Sequence, residues 1–218
     1  MIDLYTWSTP NGRKISIMLE ETGLPYIVHP IDISKDDQHV ESFLAMNPNG
    51  KIPVIVDRDN GKTVFESAVI LMYLANKAGG QFLPKDNSDQ YWTTMQWLLF
   101  QVAHIGPMLG QVHHFTRFNP GAAPYAQKRY LNEALRLYKV LDTHLADREF
   151  LAGDYSIADM ATWPWIARFN WQTVDISKYP NVLRWYLSIA ERPAVQKGWN
   201  VPPSDQPVPF PDADLNFS

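Results

Sequence analysis

Hydrophobic and polar positions follow two different periods in the first part of the chain. Short apolar runs rich in β-branched residues are typical of strands, whereas apolar residues spaced three and four apart are typical of helices. Four strands are predicted at IDLYTW, YIVHPIDI, IPVIVD and KTVF, and three helices at RKISIMLEETG, VESFLAMNPNG and ESAVILMYLANKAGG. The order β-α-β-α-β-β-α predicts an α/β domain over residues 1–83, in which helices cover a mixed sheet.

The rest of the chain is dominated by helical periodicity. The polar stretch PKDNSDQ at residues 84–90 is typical of a linker, and residues 91–200 predict an all-α domain. Within that domain, Gly106 and Pro107 predict a kink or break in the first helix. Residues 201–218 contain five prolines in VPPSDQPVPFPDADLNFS, which predicts an extended or mobile tail rather than a regular helix.

One helix start in the second region has a recognisable cap. Ser156 precedes the run IADMATWPW, and Asp159 follows it three residues later. In this spacing the serine caps the helix while the acidic side chain reaches back to the backbone of the cap residue. We therefore predict a capping box at Ser156 and Asp159, with a structural rather than a catalytic role.

Composition and charge narrow the possible functions. Hydrophobic residues make up 45% of the 218 residues, which is typical of a globular protein. The net charge is −4, so the chain lacks the excess of basic residues expected of a protein that binds nucleic acid or an anionic membrane. No segment has the roughly 18 consecutive apolar residues of a membrane helix, and no signal peptide is evident, so a cytoplasmic location is the default expectation. His113 and His114 are neighbours that would point about 100° apart on a helix, so we expect no metal site.

The chain contains no cysteine. This excludes a structural disulfide, a thiolate metal site and a protein thiol acting as nucleophile. The turn between the first strand and the first helix nevertheless carries polar groups, among them Thr9 and Asn11, where reactive atoms are often placed. The missing cysteine therefore raises the question of which atom would perform any chemistry at this turn.

Two other loops are candidates for binding. If the Ile52–Pro53 peptide bond is cis, the backbone of Ile52 turns outward and could pair with a bound peptide as an added strand; the alternative is a trans proline that merely begins a strand. Glu66 and Ser67 stand at a helix start, where a serine and backbone N–H groups bind an anion and the carboxylate could hold an ammonium group. That pair suits a zwitterionic amino acid, although Ser67 could equally be a simple helix cap.

Taken together, the stretches KIPVIVD, FESAVILMYLA and SIADMATWPW resemble the glutathione transferase superfamily over roughly residues 1–200. The stretches TPNGRKI, QWLLFQVAHIGPMLGQVHHF and PYAQKRYLNEALRLYKVLD are similar to its bacterial nu class, which reduces disulfides with glutathione. The resemblance implies a thioredoxin-like, glutathione-binding domain followed by an all-α domain. It also implies glutathione, reduced or as its disulfide, as co-substrate, with no metal.

The resemblance answers the question raised by the missing cysteine, because the reactive sulfur then belongs to glutathione. It implies a glutathione-dependent disulfide-bond reductase with weak transferase or peroxidase activity, whose partners are glutathione and small disulfides. Thr9 and Asn11 would hold the sulfur, in place of the tyrosine, serine or cysteine of other classes. Ile52 with Pro53 would bind the peptide backbone, and Glu66 with Ser67 the γ-glutamyl end.

Three further positions follow from the same resemblance. Gln38 would lie near the glycine end of glutathione. Lys51 could neutralise the carboxylate there, although it could also be a solvated lysine. Arg129 resembles an arginine that reaches glutathione from the partner subunit, which would require a homodimer, although it could equally be a surface charge.

A second function class shares this architecture. Related fungal proteins serve in regulation, so the alternative is a non-catalytic glutathione-binding regulatory protein, because a fold does not settle function. A regulator would be expected to carry an extra partner-binding segment, such as a long Asn/Gln-rich region. The sequence shows no such region, so the enzyme is the favoured hypothesis.

Overall fold

The computed structural model describes residues 1–211, which form two compact units. The first comprises Met1–Lys85 together with Glu191–Pro207, and the second comprises Asp86–Ala190 together with residues 208–211. The division differs from the predicted domain bounds, because residues 191–207 belong to the first unit rather than to the helical domain or the tail. Helical periodicity in a sequence identifies a helix but not the surface on which it packs.

The first unit is built on a four-stranded sheet, and the predicted order of strands and helices is confirmed. Its strands are β1 (Ile2–Thr6), β2 (Tyr26–Pro30), β3 (Val54–Asp57) and β4 (Lys62–Phe65), arranged in the order β2-β1-β3-β4. Strand β1 is parallel to β2, whereas β1–β3 and β3–β4 are antiparallel pairs, so the sheet is mixed. The helices between the strands and after them are α1 (Pro10–Thr22), α2 (Glu41–Leu44) and α3 (Ser67–Lys77).

Helix α9 (Pro193–Trp199) explains why the late segment joins the first unit. A Cβ atom on Gly198 would lie 2.6 Å from the Cα of Ile17, so only glycine lets α9 approach α1 this closely. The guanidinium of Arg13 lies 3.5 Å from the centre of the Trp199 ring, and its Nε donates to the Trp199 carbonyl over 3.0 Å. Both side chains are buried by this contact.

The second unit is helical. Its α-helices within the described residues are α4 (Asp89–Phe100), α5 (Gly106–His113), α6 (Pro124–His144), α7 (Ile157–Ile166) and α8 (Pro180–Ala190). The chain is not broken at Gly106 and Pro107. Residues 101–105 instead form a π-helical turn that joins α4 to α5, and Pro107 stands in the first turn of α5, where proline is tolerated.

The predicted capping box at Ser156 and Asp159 is present at the start of α7. Near the end of the described chain, residues 203–211 carry neither helix nor strand. Within this stretch, the Pro209 carbonyl accepts a hydrogen bond from the hydroxyl of Tyr186 in α8. Residues 212–218, the remainder of the predicted tail, lie outside the described part. None of the helices between residues 1 and 211 combines the length and apolar character that crossing a bilayer requires.

Candidate functional site

Strand register brings the candidate loops of the first unit to one edge of the sheet. Tyr5 of β1 pairs with Val54 of β3, and Val54 pairs in turn with Phe65 of β4. The turn after β1, the Ile52–Pro53 segment before β3 and Glu66 after β4 therefore leave the sheet at the same end. The loop that leads to Gln38 starts there as well, because Thr6 pairs with Pro30 at the end of β2.

The turn after β1 is closed tightly around the start of α1. Thr9 is the N-cap of α1, and its Oγ1 accepts a hydrogen bond from the Gly12 N–H over 3.2 Å. A Cβ atom on Gly12 would lie 2.2 Å from the Trp7 carbonyl oxygen, so this turn requires glycine. Asn11 occupies the second position of the helix. The Thr9 hydroxyl accepts through its oxygen and can still donate its own proton to a ligand.

Glu66 and Ser67 occupy the junction between β4 and α3, as the sequence predicts. Glu66 has a φ of 69° and a ψ of 113°, a backbone conformation that a residue with a side chain adopts at a cost of about 1–3 kcal/mol. Its side chain does not cap α3, and Ser67 is the first residue of that helix. Strained residues of this kind are concentrated at binding sites, which favours the functional interpretation of this junction over a simple cap.

Lys14 also lies at this junction, although it was not among the predicted site residues. Its side chain is 1% exposed, and its Nζ donates to the Ser67 Oγ over 3.1 Å. Burial lowers the pKa of Lys14 to about 7, against the opposing effect of the Glu66 carboxylate. The available signal was a lysine on the buried stripe of α1, since Lys14, Ile17 and Met18 are spaced three and four apart.

The loop before β3 passes close to the backbone of Gln38. A Cβ atom on Gly50 would lie 3.4 Å from the Gln38 carbonyl oxygen, which places Lys51 one residue away from this contact. The Gln38 side chain is buried; its Nε2 donates to Asp36 over 3.0 Å, but its Oε1 finds no donor among the described residues. Lys51 is exposed. This region thus contains a buried amide at Gln38 and an exposed lysine at Lys51.

The Ile52–Pro53 peptide bond is cis, which is the first of the two alternatives considered from the sequence. Pro53 is buried, and Ile52 is half-buried at the edge from which β3 begins. Asn47 braces the preceding loop, because its Nδ2 donates to the Lys51 carbonyl over 2.7 Å.

Arg129 lies in the second unit, on an exposed part of α6. It lines a groove of about 890 Å³ together with residues of the α4–α5 region and of α6, namely His104, Met108, Tyr125, Lys128, Tyr130, Asn132, Glu133 and Arg136. The groove is rich in cationic side chains, and one of them is neutralised because Arg136 pairs with Glu133 over 2.7 Å.

Two family models match the chain. The glutathione S-transferase N-terminal domain matches residues 9–77, and the glutathione S-transferase C-terminal domain matches residues 124–187. The first match spans the sheet edge described above, and the second covers α6 and α7 and most of α8.

Known proteins similar to this chain point to the same family. Disulfide-bond oxidoreductase YfcG of Escherichia coli is 46% identical over 200 residues, which cover 89% of this chain and 92% of that protein. A glutathione transferase of Burkholderia graminis, with two glutathione molecules bound per subunit, has a TM-score of 0.87 at 42% identity and covers 92% of this chain and 88% of that one.

A third similar protein is a glutathione transferase of Pseudomonas putida, with one glutathione disulfide bound per subunit. It has a TM-score of 0.86 at 42% identity, covering 92% of this chain and 91% of that one. The first unit therefore has the thioredoxin-like fold and the second the helical fold that the resemblance implied. The chain belongs to the glutathione transferase family.

Proposed function

We propose that this protein is a glutathione-dependent disulfide-bond reductase. The observation that carries the proposal is a helix N-terminus capped by the Thr9 hydroxyl in a chain without a single cysteine. A site of this kind can hold an imported thiolate but cannot supply one. The similarity to a disulfide-bond oxidoreductase and to structures with glutathione or its disulfide bound supports the same reaction.

The residues divide into groups according to the part of glutathione they would bind. Thr9 and Asn11 would hold the sulfur, and Ile52, beside Pro53, would pair with the peptide backbone.

The two ends of the peptide would be bound by other residues. Glu66 would hold the α-ammonium group and Ser67 the α-carboxylate of the γ-glutamyl end. At the opposite end of the peptide, Gln38 and Lys51 would bind the glycine carboxylate, for which the exposed ammonium of Lys51 supplies the charge.

The proposed reaction is two successive thiol–disulfide exchanges. A glutathione thiolate attacks one sulfur of the disulfide substrate, forms a mixed disulfide and releases the other half as a thiolate, which takes up a proton. A second glutathione thiolate then attacks the glutathione sulfur of the mixed disulfide. The products are glutathione disulfide and two reduced thiols, so the two electrons come from the two glutathione molecules and the protein remains unchanged.

We expect the purified protein to reduce a small soluble disulfide with glutathione faster than it conjugates glutathione to a chloro-nitro arene. No tyrosine hydroxyl stands at the first turn to assist conjugation. The measurement couples the formation of glutathione disulfide to NADPH oxidation through glutathione reductase. A matched reaction replaces glutathione with N-acetylcysteine, a thiol that lacks both ends of the peptide; because it forms no glutathione disulfide, this reaction is followed by the appearance of the reduced substrate thiol, and it is expected to be much slower. Faster conjugation than disulfide reduction would reverse this assignment.

A non-catalytic glutathione-binding regulator is not favoured, and the same assay distinguishes it. Tight binding of glutathione disulfide without any turnover would indicate a regulator.

Weak peroxidase activity with organic hydroperoxides is expected in addition to the disulfide reduction. We also assign the protein to the nu class of the family and to the cytoplasm.

We propose that the protein acts as a homodimer, in which Arg129 of one subunit reaches glutathione bound to the other. An exposed apolar face on α4 and the turn that follows it supports this, since Trp92, Leu99 and Val102 are 53%, 59% and 38% exposed. These positions are spaced by seven and three residues and so share one side of the helix. Exposed apolar clusters of this kind mark interaction surfaces.

Leu99→Glu is expected to shift the protein from dimer toward monomer, because it places a charge on this apolar face. Sedimentation equilibrium at micromolar concentration would measure the shift. Lys139→Glu, a charge change at an exposed position of α6, is the control and is expected to leave the dimer intact. A wild-type protein that sediments as a monomer would contradict the proposal.

A further inference from the structure

The groove on α6 of the second unit has the dimensions of a ligand site. Its volume is about 890 Å³, and small-molecule sites typically measure about 300–1,000 Å³. Tyr125, Arg129, Asn132 and Arg136 share one side of α6, since they follow one another in steps of three or four residues. All lining residues lie in the second unit, so the groove is a property of that unit.

The lining of this groove carries an excess of positive charge. It contains Lys128, Arg129 and Arg136 but a single carboxylate, that of Glu133. Arg136 engages both oxygens of this carboxylate, because its Nε and one Nη donate to them over 2.8 Å and 2.7 Å. Arg136 also lowers the pKa of Glu133, to which Arg129 adds a smaller effect.

One carboxylate does not neutralise three cations. Lys128 and Arg129 are both exposed, and neither forms an ion pair with a residue between 1 and 211. The chain as a whole has a net charge of −4, so this surface departs from the overall charge of the protein. A groove with two unneutralised cations is suited to an anionic ligand.

Aromatic side chains show that the ligand is more than an inorganic ion. Tyr125 is 80% exposed in the groove, and the ring of Tyr130 is stacked on that of Phe115 with their centres 5.7 Å apart. Aromatic rings bind apolar groups, and they also make favourable contacts with divalent sulfur. The groove therefore fits a carboxylate on a short apolar stem that ends in sulfur.

Arg129 connects this groove with the proposed reaction. In the proposed homodimer it reaches glutathione bound to the other subunit, so the groove that it lines faces that ligand. After the first exchange, the glutathione sulfur is joined to one half of the disulfide substrate. That half is the group available to occupy the groove, since glutathione itself would be held by the loops of the sheet edge.

We propose that the groove receives the substrate half of the mixed disulfide and selects halves that carry a carboxylate, with Lys128 as a specificity-determining residue. The inference rests on the proposed reaction and on the proposed dimer. The groove residues bind this half, and they form and break no bond in the two exchanges. The preferred substrates are therefore small acidic disulfides, ahead of neutral and cationic ones.

The expected preference is moderate, because the cations of the groove are open to solvent. A single exposed ion pair typically changes an equilibrium by a factor of about two to five. Lys128 and Arg129 together therefore predict an advantage on the order of tenfold for a carboxylate. High salt is expected to remove most of this advantage, since it screens exposed charges.

Three disulfides that differ in charge test the proposal: dithiodipropionate, hydroxyethyl disulfide and cystamine. They carry a carboxylate, a hydroxyl or an ammonium group at the end of the same short stem. The NADPH-coupled assay gives kcat/KM for each at pH 7 and low salt, divided by the rate of the uncatalysed reaction with glutathione. Dithiodipropionate is expected to exceed hydroxyethyl disulfide at least fivefold by this ratio, and cystamine is expected to be the poorest.

Variants of Lys128 locate the preference. Lys128→Met is expected to lower the ratio for dithiodipropionate about two- to fivefold and to leave that for hydroxyethyl disulfide within twofold of wild type. Lys128→Glu is expected to favour cystamine over dithiodipropionate. Lys139→Met removes an exposed lysine of the same helix that does not line the groove, and it is expected to keep the wild-type preference.

Two results would overturn the role of the groove. One is an equal loss of preference in Lys128→Met and Lys139→Met, which would assign it to the overall charge of the protein. The other is a wild-type enzyme that reduces all three disulfides with the same ratio, and this result decides even if the Lys128 variants do not fold. The failure of the proposed function looks different, because no disulfide would then be turned over at all.

Discussion

Thr9→Ala is expected to lower the turnover of glutathione-dependent disulfide reduction at least tenfold, while glutathione disulfide still binds. The proposed reason is loss of the hydroxyl that donates to the glutathione thiolate. Thr9 caps α1, and its oxygen already accepts the Gly12 N–H, so its proton is the part available to a ligand. The coupled assay with NADPH and glutathione reductase measures turnover, and calorimetry measures the binding of the disulfide.

The size of the effect follows from the energy needed to ionise a thiol. A thiol with a pKa of about 8.5 is mostly neutral at pH 7, and lowering that pKa by about two units requires about 2.7 kcal/mol. A helix N-terminus typically supplies 0.3–1 kcal/mol, so the α1 dipole is insufficient. A hydrogen bond to a charged acceptor adds about 1.5–3 kcal/mol, which is the range lost with the Thr9 hydroxyl. Each 1.36 kcal/mol corresponds to a factor of ten in rate.

Thr9→Ser is the matched control, since it keeps both the hydroxyl and the helix cap. It is expected to retain turnover within about threefold of wild type. Thr9→Ala also removes the cap, which typically costs about 1 kcal/mol of stability, so both variants should be compared well below their unfolding temperature. If Thr9→Ala and Thr9→Ser turned over disulfide equally fast, the sulfur would be held by another group, with Asn11 the next candidate.

The sheet edge could be predicted from the sequence because it depends on local patterns and strand order. The runs before Thr9, after Pro53 and before Glu66 each read as a strand, and the order β-α-β-α-β-β-α permits few arrangements. Once the strands pair, their ends fix where the loops lie. For that reason the predicted candidates Thr9, Ile52, Pro53 and Glu66 leave the sheet at one edge.

Other features depend on contacts that no local pattern records. Lys14 lies on the apolar stripe of α1, but the pattern does not show that its ammonium is buried at Ser67; that depends on tertiary packing. Helix α9 has helical periodicity like its predecessors, yet its close approach at Gly198 attaches it to the first unit. At Gly106 and Pro107, local propensity favoured a kink or a break, and the break is absent. The chain instead forms a π-helical turn at residues 101–105, and this wider turn connects α4 to α5 without an interruption.

Asp159→Ala is expected to lower the free energy of unfolding by about 4 kcal/mol or more, the largest stability effect we predict. The Asp159 carboxylate is fully buried and accepts four hydrogen bonds. Its Oδ1 accepts from the Leu151 N–H over 2.9 Å and from the Trp185 indole over 2.8 Å. Its Oδ2 accepts from the Ser156 N–H over 3.0 Å and from the Ser156 hydroxyl over 3.1 Å.

These four donors tie three parts of the second unit to one side chain: the segment before α7, the α7 cap and helix α8. Burial raises the pKa of Asp159 to about 6, and the hydrogen bonds act in the opposite direction. Each buried donor left without a partner costs about 1–3 kcal/mol, and a domain is stable by only about 5–15 kcal/mol in total. Alanine at this position therefore removes a large part of the stability of the second unit, even though the site proposed for glutathione lies in the first.

Asp175→Ala separates this network from ordinary capping. Asp175 caps the short 3-10 turn Ile176–Lys178, with its Oδ1 accepting from the Ser177 N–H over 3.1 Å, but its partners are local and its side chain is partly exposed. It is expected to cost about 1 kcal/mol, the usual value of a cap. Urea unfolding at pH 7, followed by tryptophan fluorescence, measures both variants. A loss for Asp159→Ala no larger than that for Asp175→Ala would mean that the buried donors find other partners, and that Asp159 acts only as a local cap.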